Sequence, residues 1–301
     1  MNFKTIETQF LGVLHKTIKQ LEAFELDHAF NSDKWQASDT GNGITNVLSN
    51  GKYIEKAAVN FSSVKRKMNP SLKSILKIDA KSFEVCGVSS IIHPVNPFVP
   101  IIHMNIRYFL FNTGQYWFGG GIDLTPHYID TQEAVEFHIK LKTHCDQYNP
   151  LYYTEFKQKA DEYFQILHRN ESRGIGGIFF DRLCENKTIS IENLFNFVVE
   201  TGNLYGDIYS SILKQKGNHP YGTEEKNWQE IRRSRYVEFN LLYDQGTQFG
   251  LKSNGKIESI FCSMPPTSKW VYNYLPEPSS KEYKTLSLLH KKTDWINYGK
   301  E

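Results

Sequence analysis

From Ile101 to Phe111 the chain alternates with period two. Ile102, Met104, Ile106, Tyr108 and Leu110 fall on one side, and His103, Asn105, Arg107, Phe109 and Phe111 on the other. This predicts a strand with one face in the core and a second face carrying polar groups. Similar patterns predict strands over 54–62, 82–92 and 115–124, and the glycine-rich apolar run GIGGIFFD predicts another over 174–181. Helical spacing runs over 3–30, where Phe3, Ile6, Phe10 and Leu14 recur, and over 131–147 and 152–170, joined at Asn149-Pro150. Ser190 is placed to cap a helix ending near Gly217, and Thr223 to cap another through 233. The Gly/Asn-rich stretch 38–51 reads as loop. Residues 235–263 read as an antiparallel meander: RYVEFNLLY alternates, Asp244-Gln245-Gly246 turns, and Asn254-Gly255 marks a hairpin. The sum is an α+β chain with a large, mostly antiparallel sheet of about seven strands. No repeat or linker divides it, so we read one domain over 1–301.

Composition narrows the function classes. Lys and Arg number 35 against 33 Asp and Glu, so no global field points to nucleic acid or an anionic membrane. The runs Lys65-Arg66-Lys67 and Arg232-Arg233 read as solvated faces or helix ends. Cys86, Cys145, Cys184 and Cys262 are scattered, without a C-x-x-C pair, which fits a reducing compartment and opposes a zinc-thiolate site. The N-terminal stretch is neither a signal peptide nor a membrane span, and we expect a cytoplasmic protein.

Candidate chemistry concentrates in residues 87–128. Ser89 and His93 share a face of one strand, His103, Asn105 and Arg107 of the next, and Gly119, Gly121 and Asp123 of a third. Glycines beside a carboxylate suggest clearance for a flat ligand, or a bulge at a sheet edge. Arginine binds carboxylates with two parallel hydrogen bonds, and a buried carboxylate can bind or deprotonate N–H groups. The same residues could instead form a buried ion pair without a ligand. His93, His103, His138 and His168 come from four elements and would make a divalent-metal site if they converged. Each taken alone reads first as a hydrogen-bonded structural histidine. No G-x-S-x-G elbow or phosphate loop is present.

The longer motifs bring a resemblance. GVSSIIHPVNPFVP at 87–100, H-x-N-x-R-Y-F at 103–109, WFGGGIDLTPHY at 117–128, HRNESRGIGGIFFD at 168–181, RYVEFNLLYDQGTQFGL at 235–251 and SMPPTSKW at 263–270 resemble the oxygen-dependent coproporphyrinogen-III oxidases. The resemblance runs from about Ile44 into the final helix. It implies an antiparallel sheet flanked by helices and a homodimer with 236–272 in its interface. The implied reaction converts coproporphyrinogen III to protoporphyrinogen IX in heme biosynthesis. Two propionates become vinyls, O2 accepts the electrons, and carbon dioxide and hydrogen peroxide leave, without an organic cofactor.

Carried over by position, Arg107 would bind a carboxylate, Asp123 would anchor or deprotonate a pyrrole N–H, and His103 would donate a proton. Ser89, Asn105, Ile106, Arg107, Asn254, Gly255 and Lys256 would contact substrate. His93, His103, His138 and His168 would be the ligands of a divalent metal. Ala58, Ser234, Lys256 and Lys269 depart from the usual pattern, and Lys256 keeps charge while losing the arginine fork. Other readings are an inactive tetrapyrrole-binding protein on the same fold and a histidine-metal hydrolase.

Overall fold

The computed structural model describes residues 2–36, 41–253, 255–290 and 292–300. In chain order the elements begin with α1 (Phe3–Glu22), β1 (Asn31–Gln36), β2 (Gly41–Ser49), β3 (Ile54–Lys67) and α2 (Pro70–Leu76). There follow β4 (Ser82–Pro94), β5 (Ile101–Phe111), β6 (Tyr116–Thr125), α3 (Thr131–Asp146) and α4 (Tyr152–Tyr163). A short hairpin, β7 (Gln165–Ile166) and β8 (Glu171–Ser172), precedes β9 (Gly176–Leu183) and α5 (Ile191–Lys216). The chain continues through α6 (Thr223–Leu242), α7 (Gln245–Lys252), α8 (Ile257–Phe261) and α9 (Lys281–Leu289). A seven-stranded antiparallel sheet runs β1-β2-β3-β4-β5-β6-β9, so the expected α+β class holds.

The alternation at 101–111 sorts the two faces as expected. Ile102, Met104 and Ile106 are fully buried, in one cluster with Val59, Val88, Ile122 and Phe180. Helices α1 and α5 lie on that face, joined to it by Ser63–Glu7 and by Ser90–Tyr205 at 2.9 Å. Each large apolar side chain so removed from water contributes about 1.5–3 kcal/mol. Helices α2, α6, α7 and α8 pack on the opposite face, only along its two ends.

Three expectations fail on local detail. First, the stretch read as loop holds β2, paired with β3 over its whole length. Its glycines are not loop signals: a Cβ on Gly43 would lie 2.2 Å from the Trp35 ring, which fills that space from β1. Second, the helix predicted to reach residue 30 stops at Glu22, because the Glu25 carboxylate accepts from Tyr53 and Ile54 N–H, both at 2.7 Å. The helix predicted through 170 likewise stops at Tyr163, where the Phe164 carbonyl accepts from Arg173 N–H at 2.8 Å.

Third, the meander is helical. RYVEFNLLY fits a helical period as well as an alternating one, and α6 buries Arg232, Tyr236 and Phe239 along one side. Gly222, rather than Thr223, occupies the N-cap. The supposed turn at Asp244 is another helix start, its carboxylate accepting from Thr247 N–H at 2.7 Å. The Arg232-Arg233 run is buried, Arg232 on Glu171 and Arg233 on Glu55, not solvated. Ser190 caps α5 as predicted. Among the described residues no helix is long and apolar enough to cross a membrane.

Candidate active site

The strand register lays the candidate residues out as a lattice. One cross-strand row reads Ala58, Ile91, His103, Asp123 and Gly177. The next reads Asp33, Thr45, Asn60, Ser89, Asn105, Gly121 and Phe179. The third reads Trp35, Gly43, Ser62, Gly87, Arg107 and Gly119. Ser62 and Ser89 are exposed, and Gly87, Asn105 and Arg107 are half-buried. One end of this face is walled by Phe83, Phe109 and Trp117 with α2 and with Phe249 of α7. Tyr236 of α6, Ser259 of α8 and Cys262 close the other end against Ala58, Ile91, Thr45 and Asn60. The middle rows form a trench floored by small and polar residues.

Arg107 stands in this trench, its guanidinium 3.2 Å from Asp181 and 3.4 Å from the Asn105 amide oxygen. Asp123 is buried two rows away and does not touch Arg107. Its Oδ1 accepts from His103 Nδ1 at 2.8 Å and its Oδ2 from Arg173 at 2.5 Å. Burial pushes the Asp123 carboxyl up, but the Arg173 cation and His103 outweigh it and hold the group below its ordinary value. Asp123 is therefore an anion at neutral pH, with both oxygens engaged by protein. Its negative charge fixes the His103 tautomer, so Nδ1–H donates and Nε2 is left without a partner among the described residues. His103 is the member of this pair that is partly exposed, at 22% against 3%.

Arg173 escaped the sequence reading. It is fully buried, with its guanidinium 4.4 Å from the Phe164 ring, 4.6 Å from Phe239 and 5.0 Å from Tyr236. The available signal was an arginine at the head of a glycine-rich apolar strand. Asp181, at the end of the same strand, was missed too.

Of the two readings of the glycines, the bulge at a sheet edge holds: the register of β6 with the edge strand β9 shifts between Phe118 and Gly120. A Cβ on Gly121 would lie 2.2 Å from the Ile178 carbonyl oxygen, so its absence lets β9 approach β6. A Cβ on Gly119 would lie 2.7 Å from Arg107 Nε, so that space belongs to the guanidinium. The remaining contact candidates scatter. Ile106 points its side chain into the core, and only its backbone borders the trench. Gly255 donates its N–H to the Gly250 carbonyl at 2.8 Å. Lys256 pairs with Asp33 on β1, four strand steps or roughly 19 Å from β5. Asn254 lies outside the described residues.

The four histidines do not meet. Among the described residues no group of three or more His, Cys, Asp or Glu is placed to hold a metal. His138 packs on the core side, between the Tyr153 hydroxyl and the Ile175 carbonyl, both at 3.0 Å. His168 lies between Tyr243 and Glu238, at 2.7 and 2.8 Å. His93 bonds the Ser263 carbonyl at 2.8 Å and stands edge-on to Tyr236. Burial pushes both His93 and His138 down to about 3, which keeps them neutral. These donor sets do not fit one shared metal centre.

A family model described as Coproporphyrinogen III oxidase matches residues 5–295. Oxygen-dependent coproporphyrinogen-III oxidase of Drosophila melanogaster is 43% identical over 305 residues, covering 97% of this chain and 77% of the relative. The protein of that name in Francisella tularensis subsp. holarctica (strain LVS) is 43% identical over 301 residues, covering 95% and 96%. The mitochondrial form of Rattus norvegicus is 44% identical over 282 residues, covering 89% and 63%.

Proposed function

The chain belongs to the coproporphyrinogen III oxidase family, and we propose that its trench is where coproporphyrinogen III is oxidatively decarboxylated to protoporphyrinogen IX with O2 as electron acceptor. The observation that carries this reading is the half-exposed Arg107 on the trench floor, two rows from the buried anion that orients His103. For each propionate, R–CH2–CH2–CO2⁻ with O2 and one proton gives R–CH=CH2, CO2 and H2O2. The C–H bond next to the ring and the bond to the carboxylate break, and both electrons pass to oxygen. The substrate supplies the electrons that oxygen takes up.

Arg107 holds the reacting propionate, and Asn105 and Ser89 contribute further hydrogen bonds beside it. His103 presents Nε2 to a pyrrole N–H and moves its proton, while Asp123 orients the ring. Aerobic turnover of coproporphyrinogen III beside an anaerobic control tests the reading. Protoporphyrinogen should form only with oxygen. Tight binding without turnover would favour an inactive tetrapyrrole-binding protein.

We also assign the chain a homodimeric state. Tyr236 and Phe239 are buried within the protomer, but Leu242, Ile257, Trp270, Tyr272 and Leu275 are exposed, with Tyr272 at 92% and Leu275 at 84%. Large apolar groups exposed in this way are what an interface would cover. Sedimentation velocity at micromolar concentration should return a dimer that Leu275→Asp or Tyr272→Asp weakens. A wild-type monomer would sink this assignment. The four thiols are free, which fits a reducing compartment.

A further inference from the structure

The proposed chemistry uses Arg107 but gives no task to the acid that faces it. Between Gly120↔Phe180 and Phe118↔Leu183 the β6–β9 register shifts, leaving Asp181 and Arg182 opposite the single residue Gly119. Arg182 takes a left-handed conformation, φ 54°, which any residue with a Cβ adopts at a cost. Its guanidinium reaches the Leu76 carbonyl and lies 5.1 Å from the Trp117 ring, while Asp181 is turned onto Arg107. The missing side chain at Gly119 completes the arrangement, since a Cβ there would stand 2.7 Å from Arg107 Nε and 2.9 Å from Asp181 Oδ1. A bulge, a strained residue and a glycine converge on one ion pair. That pair is 27% and 40% exposed, and such pairs contribute little to folding. Its position on the trench floor suggests another purpose.

We propose that Asp181 is a stand-in carboxylate: it holds Arg107 while the site is empty, yields it to a substrate propionate, and retakes it once that propionate has become a vinyl group. This rests on reading Arg107 as the propionate-binding residue. A substrate carboxylate competes with a tethered one for the same fork. A vinyl group offers the guanidinium nothing, and recapture keeps the cation paired beside an apolar neighbour. An uncharged substituent cannot displace Asp181, so the pair also selects for propionate at this position.

The test measures anaerobic dissociation constants of coproporphyrinogen III and protoporphyrinogen IX for wild type, Asp181→Asn, Asp181→Ala, Arg107→Gln and the Arg107→Gln/Asp181→Asn double variant. Both Asp181 variants should bind the substrate roughly two- to five-fold more tightly, the range a half-exposed pair allows. They should not tighten the product, and in the Arg107→Gln background Asp181→Asn should change nothing. Unchanged or weaker substrate binding would overturn the stand-in role. So would equal tightening of substrate and product, because that is a general charge effect on two anionic macrocycles. If Arg107→Gln binds substrate like wild type, the reading of Arg107 itself fails. If Arg107→Gln weakens binding but the Asp181 variants do not tighten it, only the stand-in role fails.

Discussion

Replacing Arg173 by methionine is expected to cost about 3–5 kcal/mol of folding stability, the range for breaking one partner of a buried ion pair. The methionine can fill much of the volume between Phe164, Tyr236 and Phe239. It cannot compensate the Asp123 carboxylate, which is buried and would keep only His103 as partner. With the cation gone, burial becomes the dominant influence on Asp123 and drives its carboxyl up, towards the protonated form. The variant should therefore lose turnover as well as stability. Removing both charges, in Arg173→Met/Asp123→Leu, should be less destabilising than Arg173→Met alone, because no uncompensated charge remains. Urea denaturation of the four proteins gives the cycle. A single variant within about 1 kcal/mol of wild type, with additive effects, would show that the pair is not coupled in this way.

The residues that could be read from sequence share a property: their pattern follows from local geometry. The face of β5 that carries His103, Asn105 and Arg107 is legible because alternation has one period and its other face is apolar throughout. The segment 235–243 was not, because Tyr236, Phe239, Asn240 and Tyr243 fit the helical period while the same nine residues also alternate. Nor was β2, since Gly43 signals a loop unless Trp35 is known to cover it. Partners were least accessible. Asp123 and Arg173 stand 50 residues apart, and nothing in either segment says which cation meets which anion. Arg107 and Asp123, the pair singled out by residue type, instead each hold a different partner: Asp181 for one, Arg173 for the other. The histidines illustrate the same gap. Residue type allowed a common metal set, whereas His138 and His168 have both ring nitrogens committed to other groups.

Asp123→Asn keeps the side-chain shape and one acceptor oxygen, enough for Arg173 or for His103 Nδ1–H but not for both, and it removes the negative charge that orients the imidazole. If His103 moves the proton under that control, turnover should fall by about 10²–10⁴, the usual contribution of a positioned acid–base group. Substrate binding should change far less, because Arg107, Asn105 and Ser89 remain on the trench floor. Withholding oxygen stops the reaction and leaves binding measurable on its own. The decisive measurement is thus aerobic kcat for Asp123→Asn set beside its anaerobic Kd for coproporphyrinogen III. A large loss of kcat with Kd within a few-fold of wild type is the predicted result; near-normal turnover would contradict the account.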